Sequence, residues 1–228
     1  MAESFQERLK ALRERISAAC ARSGRGGRPV RIVAVTKTHP AETVQAVIDA
    51  GLPDIGENRV QEIMDKAPGL TGTRCLHMVG HLQTNKVAKV VPLVDWIQSV
   101  DSARLADKIE TQAAKAGRSI SALVQVNTSG EESKSGCAPE QAIELCERVA
   151  ACTHVSFHGL MTVGPLDASE RETKQCFERL RNIGESCRHL CDTVELSMGM
   201  SDDFEWAIEE GATIIRVGSL LLGARPYP

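Results

Sequence analysis

The sequence predicts an α/β fold of one particular kind, a closed, single-domain (β/α)8 barrel of the TIM type. Three observations carry that expectation. Short apolar runs alternate with helical patterns along the chain, as in βαβ units feeding a parallel sheet. At 228 residues, with 42% hydrophobic and 25% charged side chains, the chain has the size and composition of one such barrel. The turn after the first strand, Thr36-Lys37-Thr38-His39-Pro40, contains no glycine, whereas a doubly wound open sheet normally carries a glycine-rich turn there.

An amphipathic helix is expected from about Glu3 to Arg22, followed by a Gly/Arg turn at Gly24–Pro29. Strands are expected at Arg31–Thr36, Pro53–Gly56, Cys75–Val79, Val94–Val100, Ser121–Asn127, Val155–Met161, Thr193–Ser197 and Thr213–Val217. Helices fill the intervals at about 41–50, 58–67, 83–91, 102–116, 139–151, 169–190 and 202–210, with a short one after Val217. Residues 1–228 read as one domain with no linker. The polar stretch Asn127–Gly136 is expected to form a mobile lid over the barrel mouth.

In such a barrel the reactive face is the rim formed by the C-terminal strand ends. The first strand end carries Lys37. Val33, Val35 and Lys37 share one parity and so one face of the strand. Burial lowers a lysine's pKa, and a partly neutral amine attacks aldehydes. The competing reading is a lysine snorkelling into solvent at a strand end. At the last strand end, Gly218-Ser219 precede a short helical start, a pattern suited to a phosphate. Ser197, Gly199 and Ser201 on the neighbouring loop add donors. Simple helix N-caps are the alternative for Ser201 and Ser219. Arg216 shares the face of Ile214 and Gly218 and always needs an acceptor. It either meets a ring nitrogen of a bound cofactor or forms a salt bridge with Glu195 or Asp54.

A formal net charge of −3 with interspersed signs gives no basic footprint for nucleic acid. The first residues lack the apolar core of a signal peptide, and no apolar run approaches the roughly 18 residues of a membrane span. A cytoplasmic location is therefore expected. Eight cysteines without a Cys-x-x-Cys pair read as small buried hydrophobes, not a disulfide framework. His77 and His81 do not share a helix face and have no adjacent carboxylate in sequence, so no metal site is expected. Lys86, Lys89 and Lys134 read as solvated.

The ordered set Val33-Ala-Val-Thr-Lys37-Thr-His-Pro40, Gly56-Glu-Asn-Arg-Val-Gln-Glu62, His77-Met-Val-Gly-His-Leu-Gln-Thr-Asn-Lys86, Lys134-Ser-Gly136, His158-Gly-Leu-Met-Thr162, Leu196-Ser-Met-Gly-Met-Ser201-Asp, and Arg216-Val-Gly-Ser219 leading to Gly223-Ala-Arg225 spans nearly the whole chain. It resembles the pyridoxal 5′-phosphate (PLP) homeostasis proteins, which have the barrel of bacterial alanine racemase without its second domain. The resemblance implies that Lys37 forms a covalent aldimine with PLP and that Arg216 faces the pyridine nitrogen. It further implies that Gly218 and Ser219, with Ser197 and Ser201, bind the phosphate, and that Asn58 lies near the cofactor. Asn58 also reads as a helix N-cap with Gln61 three residues on. One departure is Ser219, where threonine is common.

PLP enzymes that need a strong electron sink pair the pyridine nitrogen with an acid. Arginine cannot accept that proton, so carbanion stabilisation should be weak. Racemases of this barrel type add a tyrosine from a further domain; here the one tyrosine is Tyr227. The expected function is intracellular PLP storage, buffering or delivery without substantial catalysis, by a monomer that meets apo PLP enzymes transiently. The alternatives are a PLP-dependent amino-acid racemase, with His81 or Cys75 supplying a proton, and a class I aldolase using Lys37.

Overall fold

A computed structural model of the chain describes residues 4–24 and 29–223. The strands are β1 (Arg31–Val35), β2 (Asp54–Glu57), β3 (Cys75–Met78), β4 (Trp96–Val100), β5 (Ile120–Gln125), β6 (Val155–Met161), β7 (Glu195–Ser197) and β8 (Ile214–Val217). Each pairs in parallel with the next, and β8 pairs with β1, closing the barrel. The helices are α1 (Phe5–Arg22), α2 (Ala41–Asp49), α3 (Val60–Lys66), α4 (Val87–Val90), α5 (Ala103–Ala116), α6 (Ala142–Ala150), α7 (Glu170–Ser186), α8 (Phe204–Glu209) and α9 (Ser219–Leu222).

Period-2 alternation divides the core in two. Val33, Trp96, Leu123, Met161 and Ile214 pack together inside the barrel. Ala34, Ile55, Leu76, Ile97, Ala122, Leu160 and Ile215 belong to the larger core that packs under the helices. The interior is not wholly apolar, because His77, Gln98, Ser197 and Arg216 are also buried.

Helix α1 starts with a capping box: the Glu7 N–H donates to Ser4 Oγ, and the Ser4 N–H donates to Glu7 Oε2. Leu9, Leu12, Ile16 and Ala19 recur at helical spacing and are buried. Arg15 and Arg22 pair with Glu205 and Glu209 of α8. Those pairs are partly exposed, so the buried leucines contribute more to docking.

The observed elements depart from the expected ones mainly at their ends. The expected helix at 83–91 is a 3-10 turn, Thr84–Lys86, followed by the single turn of α4. Helix α7 stops at Ser186, with a separate 3-10 turn at Arg188–Leu190. The loop at 127–136, expected as a mobile lid, makes hydrogen bonds within itself and to β5. Asn127 Nδ2 donates to the Glu131 carbonyl, and Gln125 Nε2 donates to the Ser135 carbonyl. Lys134, expected in solvent, is largely covered, donating to the Gly164 carbonyl and pairing with Glu131. Glu3, residues 25–28 of the Gly/Arg turn, and Ala224, Arg225 and Tyr227 lie outside the described residues.

Gly159 shows how tightly β6 and β7 pair. Its φ is +142°, and a Cβ there would lie 2.0 Å from the Glu195 carbonyl oxygen. Gly159→Ala should therefore destabilise the barrel by about 2 kcal/mol or more in urea denaturation.

Candidate functional site

The seam between β1 and β8 assembles the candidate site. Val33 lies opposite Arg216 and Ala34 opposite Val217, so the two strands run out side by side at the C-terminal rim. Gly218 follows directly, and a Cβ there would come within 3.1 Å of the Val35 carbonyl oxygen. On β2, Gly56 leaves room between Val33 and Val35: a Cβ would sit 2.8 Å from Val33 Cγ1. Lys37 is half-buried in the turn two residues beyond β1.

That turn is held from below by a buried ion cluster. Lys66 Nζ donates to the Thr36 carbonyl at 3.0 Å and to Glu57 Oε1 and Glu62 Oε2, both at 2.8 Å. Thr36 Oγ1 donates to Glu57 Oε1 at 2.6 Å, and the Thr38 N–H donates to Glu62 Oε2 at 2.7 Å. Both neighbours of Lys37 are thus fastened to one cluster. Thr38 has a φ of 67°. A β-branched residue adopts that conformation only when its surroundings impose it, at about 1–3 kcal/mol. Burial pushes the Glu57 carboxyl up despite Lys66 and Thr36. Burial also opposes ionisation of Glu62, but Lys66 and the Thr38 N–H outweigh it and lower its pKa. Lys66 and Glu57 were not evident from the sequence; the Glu62/Lys66 spacing of four residues was the available signal.

Arg216 is buried, and burial lowers its pKa to about 10. Its Nη1 donates to Ser197 Oγ and its Nη2 to the Thr162 carbonyl, each at 2.7 Å. It forms no salt bridge with Glu195 or Asp54; the acidic group that acts on it is Asp203, through space. Ser197 Oγ donates to Gln98 Oε1 at 2.7 Å. Gln98 Nε2 lies 2.9 Å from His77 Nδ1, and His77 Nε2 lies 3.0 Å from Asp54 Oδ1. Burial lowers the His77 pKa, with Asp54 opposing. Trp96 stacks on His77 and meets His158 at a tilt of 40°.

Ser197 therefore lies inside the barrel with its proton given to Gln98, and its expected phosphate contact gives way to a place beneath Arg216. Ser201 and Ser219 do meet at the rim: Ser219 Oγ donates to Ser201 Oγ at 3.2 Å, and the Leu220 N–H reaches Ser201 Oγ at 3.4 Å. Neither serine is an N-cap. Asp203 precedes α8, and Gly218 precedes α9. Asn58 is not an N-cap either, since Arg59 holds that place and Gln61 donates to Asp65. Asn58 is half-buried one residue beyond β2, and its backbone presses against Gly80. His81 pairs with Asp101 at 3.2 Å on the rim after β3 and β4. His77 does have a carboxylate beside it in space. The ligand atoms of Asp54, Cys75 and His77 lie within 4.8 Å of one another, and burial first, then Asp54 and Asp95, push the Cys75 thiol up to about 12.

The alanine racemase N-terminal domain family matches residues 8–226. The pyridoxal phosphate homeostasis protein of Aquifex aeolicus is 41% identical over 224 residues, covering 97% of this chain and 98% of that protein. The protein of the same description from Escherichia coli is 37% identical over 230 residues, covering 96% of each. The structure of PipY from Synechococcus elongatus with PLP bound superposes with a TM-score of 0.83 at 34% identity, covering 96% of this chain and 100% of that one. The chain belongs to the pyridoxal phosphate homeostasis protein family, built on the alanine racemase N-terminal barrel.

Removing Lys66 leaves Glu57 buried beside nothing that neutralises it. Lys66→Met should cost about 3–5 kcal/mol in urea denaturation. Adding Glu57→Gln to that variant should restore part of the loss. The depressed His77 pKa adds stability that is complete above its ordinary value of about 6.5 and declines as pH falls toward the lower folded value. His77→Gln should flatten the acid-side slope of Tm against pH.

Proposed function

We propose that this chain binds pyridoxal 5′-phosphate at the C-terminal mouth of its barrel and stores, buffers or delivers it without substantial turnover. Arg216 supports this reading most: a buried guanidinium with two neutral acceptors, on the strand that neighbours the one leading to Lys37. The donor set fits PLP. An aromatic nitrogen is the acceptor a spare guanidinium N–H requires, and Gly218, Ser219 and Ser201 offer close backbone approach and two hydroxyls for a phosphate. When bound, the cofactor supplies an aldehyde with which an amine condenses to a Schiff base, releasing water.

Each residue then has a task. Lys37 presents the amine from a turn that cannot wander, because Lys66 and Glu62 hold both its neighbours. Arg216 donates to the ring nitrogen and holds it unprotonated, which weakens carbanion chemistry. Gly218, Ser219 and Ser201 receive the phosphate, Ser197 supports Arg216, and Asn58 lines the mouth from β2. Capture at an open rim is reversible, which suits a single-domain cytoplasmic monomer that hands the aldehyde to apo PLP enzymes in transient contacts. No helix of the described residues is long and apolar enough to cross a membrane.

Borohydride reduction of the loaded protein followed by peptide mapping tests the covalent assignment: the modified lysine should be Lys37. Lys37→Ala should lose the visible absorption band and keep its fold by circular dichroism; a retained band would move the linkage elsewhere. Pyridoxal lacking the phosphate should bind at least about tenfold more weakly, since an anion site loses its ligand. Incubation with L-alanine should yield no D-alanine above background in a chiral assay.

A further inference from the structure

Arg216 has no acceptor atom, and that fact orders every proton beneath it. Because the guanidinium donates to Ser197 Oγ, the serine's own proton is free to go onward, and it goes to Gln98 Oε1. With its oxygen so used, Gln98 turns its amide N–H groups toward His77, so Nδ1 must accept. The neutral ring then carries its proton on Nε2 and donates to Asp54 Oδ1. The chain runs one way across the barrel interior, from β8 through β7, β4 and β3 to β2.

The reverse order fails at both ends. A flipped Gln98 would present N–H to Ser197, leaving that buried oxygen facing two donors and its own proton without Gln98 to receive it. His77 would then donate from Nδ1, and Nε2 would either face the Asp54 carboxylate as a bare lone pair or carry a second proton in a buried position. An unsatisfied buried polar group costs about 1–3 kcal/mol, so one order dominates. The same order disfavours a cation among Asp54, Cys75 and His77. Nε2, the nitrogen nearest Asp54, is protonated, and Arg31 already lies 3.8 Å from Asp54.

We propose that Gln98 and His77 are positioning residues for Arg216, locking the direction of a hydrogen-bond chain that holds the guanidinium against the ring nitrogen of the bound cofactor. This rests on the PLP reading of the site. The chain explains why a glutamine and a histidine occupy the interior of a barrel otherwise filled by Val33, Trp96, Leu123, Met161 and Ile214. Gln98 fixes the hydroxyl of Ser197, and that hydroxyl offers Arg216 a lone pair in one orientation only. The charged and titratable groups around His77 are Asp54 on β2, Arg31 on β1, Asp95 before β4 and Cys75 on its own strand. None of them lies between His77 and Gln98 in the hydrogen-bond chain.

Nitrogen NMR of the wild-type protein tests the direction without any substitution: His77 should be the neutral Nε2–H tautomer at neutral pH, and an Nδ1–H tautomer would overturn the proposal. Gln98→Leu should weaken PLP binding about tenfold and move the resonance of isotope-labelled ring nitrogen in the bound cofactor toward its protonated position. Gln98→Glu accepts from both Ser197 and a doubly protonated His77. It should keep affinity within about threefold of wild type and restore the ring-nitrogen resonance. Unchanged affinity and an unchanged resonance in Gln98→Leu would defeat the positioning role. The visible band from Lys37 reports separately on the PLP reading: its presence in wild type with no response to Gln98 sinks only the chain, and its absence in wild type sinks both. Should Gln98→Leu fail to fold, the wild-type tautomer still decides.

Discussion

Barrel closure is the constraint on which everything else depends. Four successive residue pairs, from Arg31 opposite Ile214 to Ala34 opposite Val217, join the first strand to the last. Residues about 180 positions apart in sequence thereby become neighbours, and only then does the lysine turn face the arginine strand. Glycine at 56 and at 218 keeps this seam free of side-chain bulk where backbones and valines already crowd. A helix-rich fold could supply the same residue types, but not two parallel strands that lead, side by side, to Lys37 and to Gly218.

Two buried cations stand near this seam, and the protein treats them differently. Lys66 is surrounded by Glu57, Glu62 and the Thr36 carbonyl, so its charge is answered within the chain. Its work is mechanical, fastening the residues on either side of Lys37. Arg216 receives a hydroxyl and a carbonyl but no carboxylate within salt-bridge distance among the described residues. Removing a guanidinium from water with only the through-space attraction of Asp203 to answer its charge is costly. That cost is tolerable where a ligand completes the set, and burial at this strand position makes Arg216 the most informative residue in the mouth.

Much of this was legible in the sequence because β-strands have period 2 and closed parallel barrels place function at strand ends. Parity set Val33, Val35 and Lys37 on one face and Ile214, Arg216 and Gly218 on another, and left open what each residue does. Gln98 shares the parity of Trp96 and so the inward face, but it sits mid-strand, away from the rim where function is sought, and no local pattern pairs it with Ser197 or His77. Ser197 was visible as a polar residue at the end of its strand, and that end fell where it was expected; periodicity did not tell whether its hydroxyl turns to the rim or inward to Gln98. The ion cluster under Lys37 joins a strand residue to the last turn of the next helix, a contact set by packing and not by local spacing. The short helices failed for another reason. Lys86 and Val87 sit where a 3-10 turn passes into α4, and apolar periodicity cannot separate the two helix types over so few residues.

The most direct measurement is a crystal structure of the protein grown with pyridoxal 5′-phosphate. Continuous electron density is expected from Lys37 Nζ into the ligand, with the Arg216 guanidinium at the ring nitrogen and Ser219 at the phosphate. Density joined to a different lysine, or a mouth holding no ligand at saturating concentration, would contradict the assignment of this site.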